Sequence, residues 1–236
     1  MKVISIASLK GGVGKTTLSV FLAQALSMKG KVLAIDFDPN NNLTDYFLRD
    51  ESSDKVNDFN LYQILKGKKT FEDCTFQTAF NLSVIPSTPE LHKVGIELGT
   101  NPTSMIRFTA NLTKLPYDFV VIDTPPSIGF ELRASLFTSD LVLSPVHPTR
   151  WTLQALEILR EEIKAVEEGK GSKLPLLSVP SIVTERESEK LKGIKNLTKA
   201  IILKSSSVKK AGTMGSRIAD KTNSWNQFLS LAKEVG

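Results

Sequence analysis

The segment 9–17 reads LKGGVGKTT and combines three glycines with lysine and hydroxyl side chains at the spacing needed to hold a polyphosphate. Glycines let the backbone curve closely around an anion, so that several N–H groups can point at it together. Lys15 can then reach the β- and γ-phosphates of a nucleotide, and the hydroxyl of Thr16 is placed for Mg²⁺. The segment predicts a nucleotide-binding loop; a simple glycine turn between a strand and a helix is the alternative.

Carboxylates follow two apolar runs, where they could serve the chemistry of a bound nucleotide. Asp36 and Asp38 lie at the end of the run KVLAID, and Asp123 follows the run FVVI. Side chains at the carboxyl ends of parallel strands face the ligand crevice of an open α/β sheet. Asp36 and Asp38 share strand parity, so we expect them to point to the same side. A carboxylate there can order the waters around Mg²⁺ or position an attacking water. The alternatives are a turn aspartate for Asp38 and a strand-end cap for Asp123.

The elements that must position these residues follow from the apolar patterns around them. A strand at 2–7, a helix at 16–28 and a strand at 31–36 form a βαβ unit, which requires parallel strands. The patterns predict further strands at 82–86, 119–122, 141–143, 174–179 and 200–203, and helices at 61–65, 153–169 and 225–232. Strands that alternate with helices predict an α/β fold with a doubly wound, mostly parallel sheet flanked by helices.

Length and composition set limits on the class of protein. The chain has 236 residues, 41% of them hydrophobic and 23% charged, which is ordinary globular usage and enough for a large core. We expect one domain over 1–236, with no N-terminal helix-turn-helix extension, because the sequence starts at the strand before the loop. The single cysteine, Cys74, excludes an internal disulfide and a multi-cysteine cluster within one chain. No apolar run approaches the roughly 18 residues of a membrane span, so we expect a cytoplasmic protein.

The motif around Lys10 resembles that of a known family. A lysine directly before the double glycine resembles the deviant Walker A motif of the ParA/MinD group of P-loop ATPases. The segment DPNNNLT at 38–44 resembles the family's DPQ-G-N-x-T element, with Asn40 and Asn41 in place of the usual glutamine and glycine, and DTPPS at 123–127 resembles its Walker B region. The resemblance implies a P-loop NTPase fold and a Mg-dependent ATPase that uses ATP and Mg²⁺.

The same resemblance implies a role for each site residue. Lys10 would cross a dimer interface to the partner's phosphates, Asp38 would position the attacking water, and Lys10, Lys15 and Asp38 would be catalytic. Mg²⁺ would be held through water by Thr16 and Asp123. Adenine contacts are expected near 180–184. The residues expected to bind the nucleotide are Lys10, Gly11, Gly12, Val13, Gly14, Lys15, Thr16 and Thr17.

The excess of basic residues lies at the end of the chain. Residues 186–236 contain 11 Lys and Arg against 4 Asp and Glu, whereas the whole chain has a net charge of +5. Such asymmetry indicates an anionic partner, either nucleic acid or a membrane surface, or else a solvated lysine-rich face. ParA/Soj-like partition ATPases of this size bind DNA non-specifically through C-terminal basic residues once dimerised. The resemblance therefore implies a homodimer, double-stranded DNA, a ParB-like centromere-binding protein and a nucleoid location, with DNA contacts from Lys204, Lys209, Lys210 and Arg217.

A MinD-like membrane- or cargo-positioning ATPase is the alternative function. Members of that group end in a basic amphipathic helix that binds membrane. The segment 223–235 has an apolar stripe but only one base, Lys233. It is more typical of a helix that closes the fold, so we expect no stable membrane association.

Overall fold

The computed structural model describes residues 1–78, 81–99 and 102–236, whose strands and helices alternate along the chain. The strands are β1 (Lys2–Ile6), β2 (Val32–Asp36), β3 (Phe76–Gln77), β4 (Leu82–Ile85), β5 (Phe119–Asp123), β6 (Leu141–Val146), β7 (Leu176–Val183) and β8 (Ile202–Leu203). The helices are α1 (Lys15–Leu26), α2 (Asn42–Leu48), α3 (Ser53–Asp58), α4 (Leu61–Leu65), α5 (Val94–Leu98), α6 (Pro102–Leu112), α7 (Phe130–Thr138), α8 (Arg150–Lys170), α9 (Glu185–Glu189), α10 (Ser206–Met214) and α11 (Asn223–Val235), with a 3₁₀ turn at Pro89–Lys93.

The strands form one sheet in the order β3-β4-β2-β5-β1-β6-β7-β8. All neighbouring strands are parallel except β3, which runs antiparallel to β4 at one edge. The predicted doubly wound, mostly parallel α/β fold is therefore confirmed. The chain builds outward from β1 on one side through β5, β2 and β4, and on the other through β6, β7 and β8. The carboxyl end of β1 consequently lies at the switch point where ligands bind in such sheets.

Alternate residues of the central strands supply two separate cores on opposite faces of the sheet. Ile4 and Val121 face a core with α1 and α11, whereas Val120 and Ile122 face a core with α4, α6 and α7. This burial on both faces explains why the central strands are continuous apolar runs. Helix α11 packs along α1, so its apolar stripe belongs to the core, as predicted for a helix that closes the fold. Within the described ranges, no helix is both long and apolar enough to cross a membrane.

Several elements were not predicted or have other bounds. Strand β7 extends past the predicted end at 179 to Val183, and β8 contains only two of the four predicted residues. Helix α7 was missed because it is buried on nearly every side and has no amphipathic stripe. Helix α10 was missed because only Val208 and Ala211 are buried among its serines and lysines.

The single cysteine is predicted to be chemically inert in the folded protein. Cys74 is fully buried, and burial, with a smaller effect of Asp73, raises the pKa of its thiol to about 11. Because the thiolate is the reactive form, we expect native protein not to react with a water-soluble disulfide reagent, whereas protein in denaturant reacts stoichiometrically. Rapid stoichiometric labelling of the native chain would contradict this assignment.

Candidate nucleotide-binding site

The loop between β1 and α1 has the backbone shape that its glycines predict. Gly12 (φ 73°) and Gly14 (φ 86°) occupy the left-handed region, which side chains disfavour. A Cβ on Gly14 would lie 2.5 Å from Cδ1 of Ile182, so a side chain there would also require Ile182 to shift. A Cβ on Gly11 or Gly12 would meet nothing within 4 Å, so this side of the loop is open. Gly14 is the N-cap of α1 and has no side chain to occupy its first N–H groups, which suits an anion.

Lys15 is held inside the loop. Its side chain is buried, and Nζ lies 3.5 Å from the carbonyl oxygen of Lys10. Burial lowers the pKa of Lys15, while the carboxylates of Asp123 and Asp38 act in the opposite direction. A buried ammonium interacts more strongly with an anion than an exposed one does, because water screens it less.

Asp123 connects the sheet to the first turn of α1. Thr16 Oγ1 donates to one carboxylate oxygen and Ser19 Oγ to the other, each at 2.7 Å. Burial raises the pKa of Asp123 to about 6, and the two hydroxyl groups oppose the shift. Hydroxyl and carboxylate oxygens are the ligands that Mg²⁺ prefers, so the donor set fits that ion. Ser19 was missed by sequence reasoning; its position one helical turn after Thr16 could have identified it.

Asp36 and Asp38 have different surroundings although they are close in sequence. Asp36 is fully buried and accepts hydrogen bonds from the backbone N–H and hydroxyl of Thr44 and from the N–H of Asp38. Burial, and then the neighbouring Asp123, raises the pKa of Asp36 to about 8. Asp38 accepts two hydrogen bonds from Asn40, each at 2.9 Å. Asp36 therefore anchors the start of α2, and Asp38 lies in the polar turn that follows β2, near Lys15.

Lys10 points along the outer edge of the loop. Its Nζ donates to Thr149 Oγ1 at 3.0 Å, and Thr149 is the N-cap of α8. The loop thus has two lysines with opposite orientations, Lys15 turned inward and Lys10 turned outward. His147 lies beside Lys10, and burial and the Lys10 charge lower its pKa. The described residues contain no group of three or more His, Cys, Asp or Glu placed to hold a metal ion.

A cavity of about 560 Å³ continues from the phosphate loop. We call it the α10 cavity; it is lined by Thr17 of α1, Ile182 of β7 and residues between 204 and 213. Ile182 has a φ of 56°, which is rare for a β-branched residue, and lies where the pairing of β7 with β8 shifts register. The cavity includes part of the segment 180–184, in which adenine contacts are expected.

The four basic residues expected at DNA have distinct positions. Lys204, Lys209 and Lys210 are all exposed, and the first two also line the α10 cavity whereas Lys210 does not. Arg217 stacks over the ring of Trp225 and pairs with Asp220, and its side chain is only 19% exposed. The structure therefore does not bring the four together on one open face.

The phosphate loop at the switch point, the buried Lys15 and the pairing of Thr16 with Asp123 define a P-loop nucleotide-binding protein. A family model described as an AAA domain matches residues 1–176. The chromosome partitioning protein ParA of Caulobacter vibrioides is 32% identical over 189 residues, which cover 78% of this chain and 68% of that protein. The sporulation initiation inhibitor protein Soj of Bacillus subtilis is 36% identical over 177 residues, which cover 70% of this chain and 66% of that protein.

Among solved structures, a protein described as a plasmid partition protein of Borrelia burgdorferi B31, bound to AMPPNP, has the same fold. Its TM-score is 0.86 at 26% identity, and the match covers 99% of this chain and 97% of that one. The chain belongs to the AAA domain family, in the ParA/Soj-like group of partition ATPases.

The two buried carboxyls predict how the nucleotide-free protein responds to pH. Both pKa values are raised above the ordinary aspartate value of 3.8, so the folded chain binds these protons more tightly than the unfolded chain does. The free energy of unfolding should therefore fall as pH rises from about 4, by at most about 1.4 kcal/mol per pH unit for each group, with the contribution of Asp123 ending near pH 6 and that of Asp36 near pH 8. We expect Asp36→Asn to flatten this dependence in urea denaturation at several pH values.

The slope, rather than the stability itself, is the informative quantity in that experiment, because Asp36→Asn also removes an acceptor for Thr44. Asp140→Asn is the matched control, since Asp140 accepts from the backbone N–H of Val3 at the opposite end of β1. Equal slopes in the two variants would show that Asp36 is not the source of the pH dependence.

Proposed function

We propose that the protein is an ATP-dependent partition ATPase that acts in plasmid or chromosome segregation. The observation that carries the proposal is the pair of lysines in one loop, Lys15 turned into the phosphate pocket and Lys10 turned out of it. A nucleotide-binding loop needs only the inward lysine. An outward lysine at its rim is available to the phosphates of a second protomer, as expected for an ATP-dependent homodimer.

The residues of the site suit ATP and Mg²⁺. The open side of Gly11 and Gly12 and the uncapped first turn of α1 would accommodate phosphates, with Val13, Gly14 and Thr17 as the neighbouring residues of the loop and helix. Bound Mg²⁺ would supply charge neutralisation at the phosphate oxygens. Thr16 and Asp123 would hold its water shell, and Asp38 would position the attacking water. Lys15 and the partner's equivalent of Lys10 would stabilise the charge that develops during hydrolysis.

DNA binding is the second half of the proposal. The basic excess of 186–236 supplies charge for phosphate contacts, which require no base readout and therefore suit sequence-independent binding. Dimerisation would place two such surfaces on one assembly, and linked weak sites bind far more tightly than either alone. Lys210 is exposed and, unlike Lys204 and Lys209, does not line the α10 cavity. A ParB-like protein at a centromere-like site is the expected partner, and the nucleoid is the expected location.

The DNA proposal predicts binding to random-sequence duplex DNA with ATP, weaker binding with ADP or no nucleotide, and loss of affinity as salt rises. Lys210→Glu should weaken binding to all sequences and reduce the slope of log affinity against log salt by about one per protomer. The measurement is fluorescence anisotropy at two salt concentrations. DNA binding that is independent of nucleotide would contradict the switch, and no binding by a confirmed ATP dimer would exclude the DNA role.

The in-trans role of Lys10 predicts that Lys10→Ala still binds nucleotide but neither dimerises with ATP nor hydrolyses it at the normal rate. The loss of an in-trans cation typically costs about 10³-fold or more in turnover. Light scattering after size-exclusion chromatography gives the assembly state, and phosphate release gives the rate. Lys173→Ala, at a lysine that is 90% exposed on another surface, is the control. Normal dimerisation and turnover of Lys10→Ala would refute the role.

Binding to a lipid membrane would distinguish the MinD-like alternative from the proposed partition ATPase. In the described structure, the apolar residues of α11 face α1, with the rings of Phe228 and Phe21 5.2 Å apart, which leaves that face unavailable for a membrane. Co-sedimentation with anionic liposomes in the presence of ATP tests this directly. ATP-dependent sedimentation without DNA binding would favour a positioning function on membrane.

A further inference from the structure

Helix α10 divides its residues among three faces, and the adjacent lysines Lys209 and Lys210 lie on different ones. Successive residues of an α-helix are turned by about 100° about its axis. Val208 and Ala211 are buried in the core that α1 shares with α11. Lys209 lines the α10 cavity, whereas Lys210 and the exposed Met214 occupy the face turned away from both. Two neighbouring residues of the same type therefore face different surroundings.

The α10 cavity begins where the phosphate loop ends. Thr17 follows Thr16 at the start of α1 and forms one wall of the cavity. Ile182 forms another wall and packs directly against Gly14, the last residue of the loop. A volume of about 560 Å³ is within the range of small-molecule pockets, which is roughly 300–1,000 Å³. A nucleotide whose terminal phosphates lie at Lys15 would therefore extend past Thr17 into this space.

Helix α10 also stands clear of α1 on its other side. A second cavity of about 250 Å³ lies between them and shares Thr17 and Gly212 with the first. A Cβ added to Gly212 would meet nothing within 4 Å. The helix is thus tied to the core through Val208 and Ala211, with open space on both sides of Gly212. Lys209 can reach an anion in the α10 cavity without any rearrangement of the buried residues.

We propose that Lys209, assisted by Lys204, binds the nucleotide rather than DNA, with its ammonium group on the phosphate nearest the sugar. This inference rests on the proposed function, because it requires that the phosphate loop binds a nucleotide. Lys204 also lines this cavity. The exposed Lys210 is left for DNA, and a nucleotide held by Lys209 would fix the helix that presents Lys210.

The test compares charge reversals at the two neighbouring positions in the full-length protein. The affinity for fluorescent ATP and ADP analogues is measured without DNA, and the affinity for duplex DNA is measured with saturating ATP. Lys209→Glu should weaken both nucleotides roughly ten-fold or more, because a charge-assisted hydrogen bond is replaced by repulsion. Lys210→Glu should act mainly on DNA. Lys164→Glu, at an exposed position on α8, controls for the change in net charge.

Further substitutions at Lys209 separate a charge contact from a steric one. Lys209→Arg should bind nucleotide nearly as wild type, Lys209→Met should be intermediate, and Lys209→Glu should be weakest. If Lys209→Glu fails to fold, Lys209→Arg and Lys209→Met still provide the test. Equal nucleotide affinities for the Lys209, Lys210 and Lys164 variants, with normal binding by wild type, would overturn the inference alone. Failure of the wild-type protein to bind ATP or ADP would overturn the proposed function, and this inference with it.

Discussion

The burial of Asp123 is the constraint on which the site depends. This carboxyl ends β5, which lies between β2 and β1 in the middle of the sheet, and it is fully buried. A buried carboxyl is costly unless hydrogen bonds satisfy it, and Thr16 and Ser19 provide them from α1. Those two hydrogen bonds fix the position of α1 against the sheet, and therefore the position of Lys15. The raised pKa of Asp123 follows from the same burial, and an approaching cation would favour loss of its proton.

The shape of the loop depends on a contact with a remote strand. Gly14 adopts a left-handed conformation that side chains disfavour, and Ile182 occupies the space where a Cβ would lie. Ile182 is itself in the left-handed region, which costs of the order of 1–3 kcal/mol for a residue with a side chain. The surrounding pairs of β7 with β6 and β8 hold it there. The strain is thus located where the phosphate loop meets the α10 cavity, and the rigid sheet sustains it.

The sequence predicted those parts of the molecule whose signals are local. The loop, the βαβ unit and the central strands were predicted because glycine spacing and doubly buried apolar runs are visible in short segments. Ser19 and Thr44 were missed because each acts by donating a hydrogen bond to an aspartate on another element. Ser19 donates to Asp123, which is distant in sequence, and Thr44 donates to Asp36 at the end of β2. Helix α10 was missed because only two of its residues are buried in the core. The orientation of its lysines depends on a cavity bounded by α1 and β7, and no local pattern reports such a boundary.

The basic residues near the end of the chain do not share one kind of surrounding. Arg217 is stacked on Trp225 and paired with Asp220, and Lys204 and Lys209 lie at a cavity that borders the phosphate loop. If Lys209 binds the nucleotide, an anion in the cavity would neutralise that lysine and favour one position of α10. Under the proposed function, the dependence of DNA binding on nucleotide would then have two sources: dimerisation through Lys10 and ordering of α10 within each protomer.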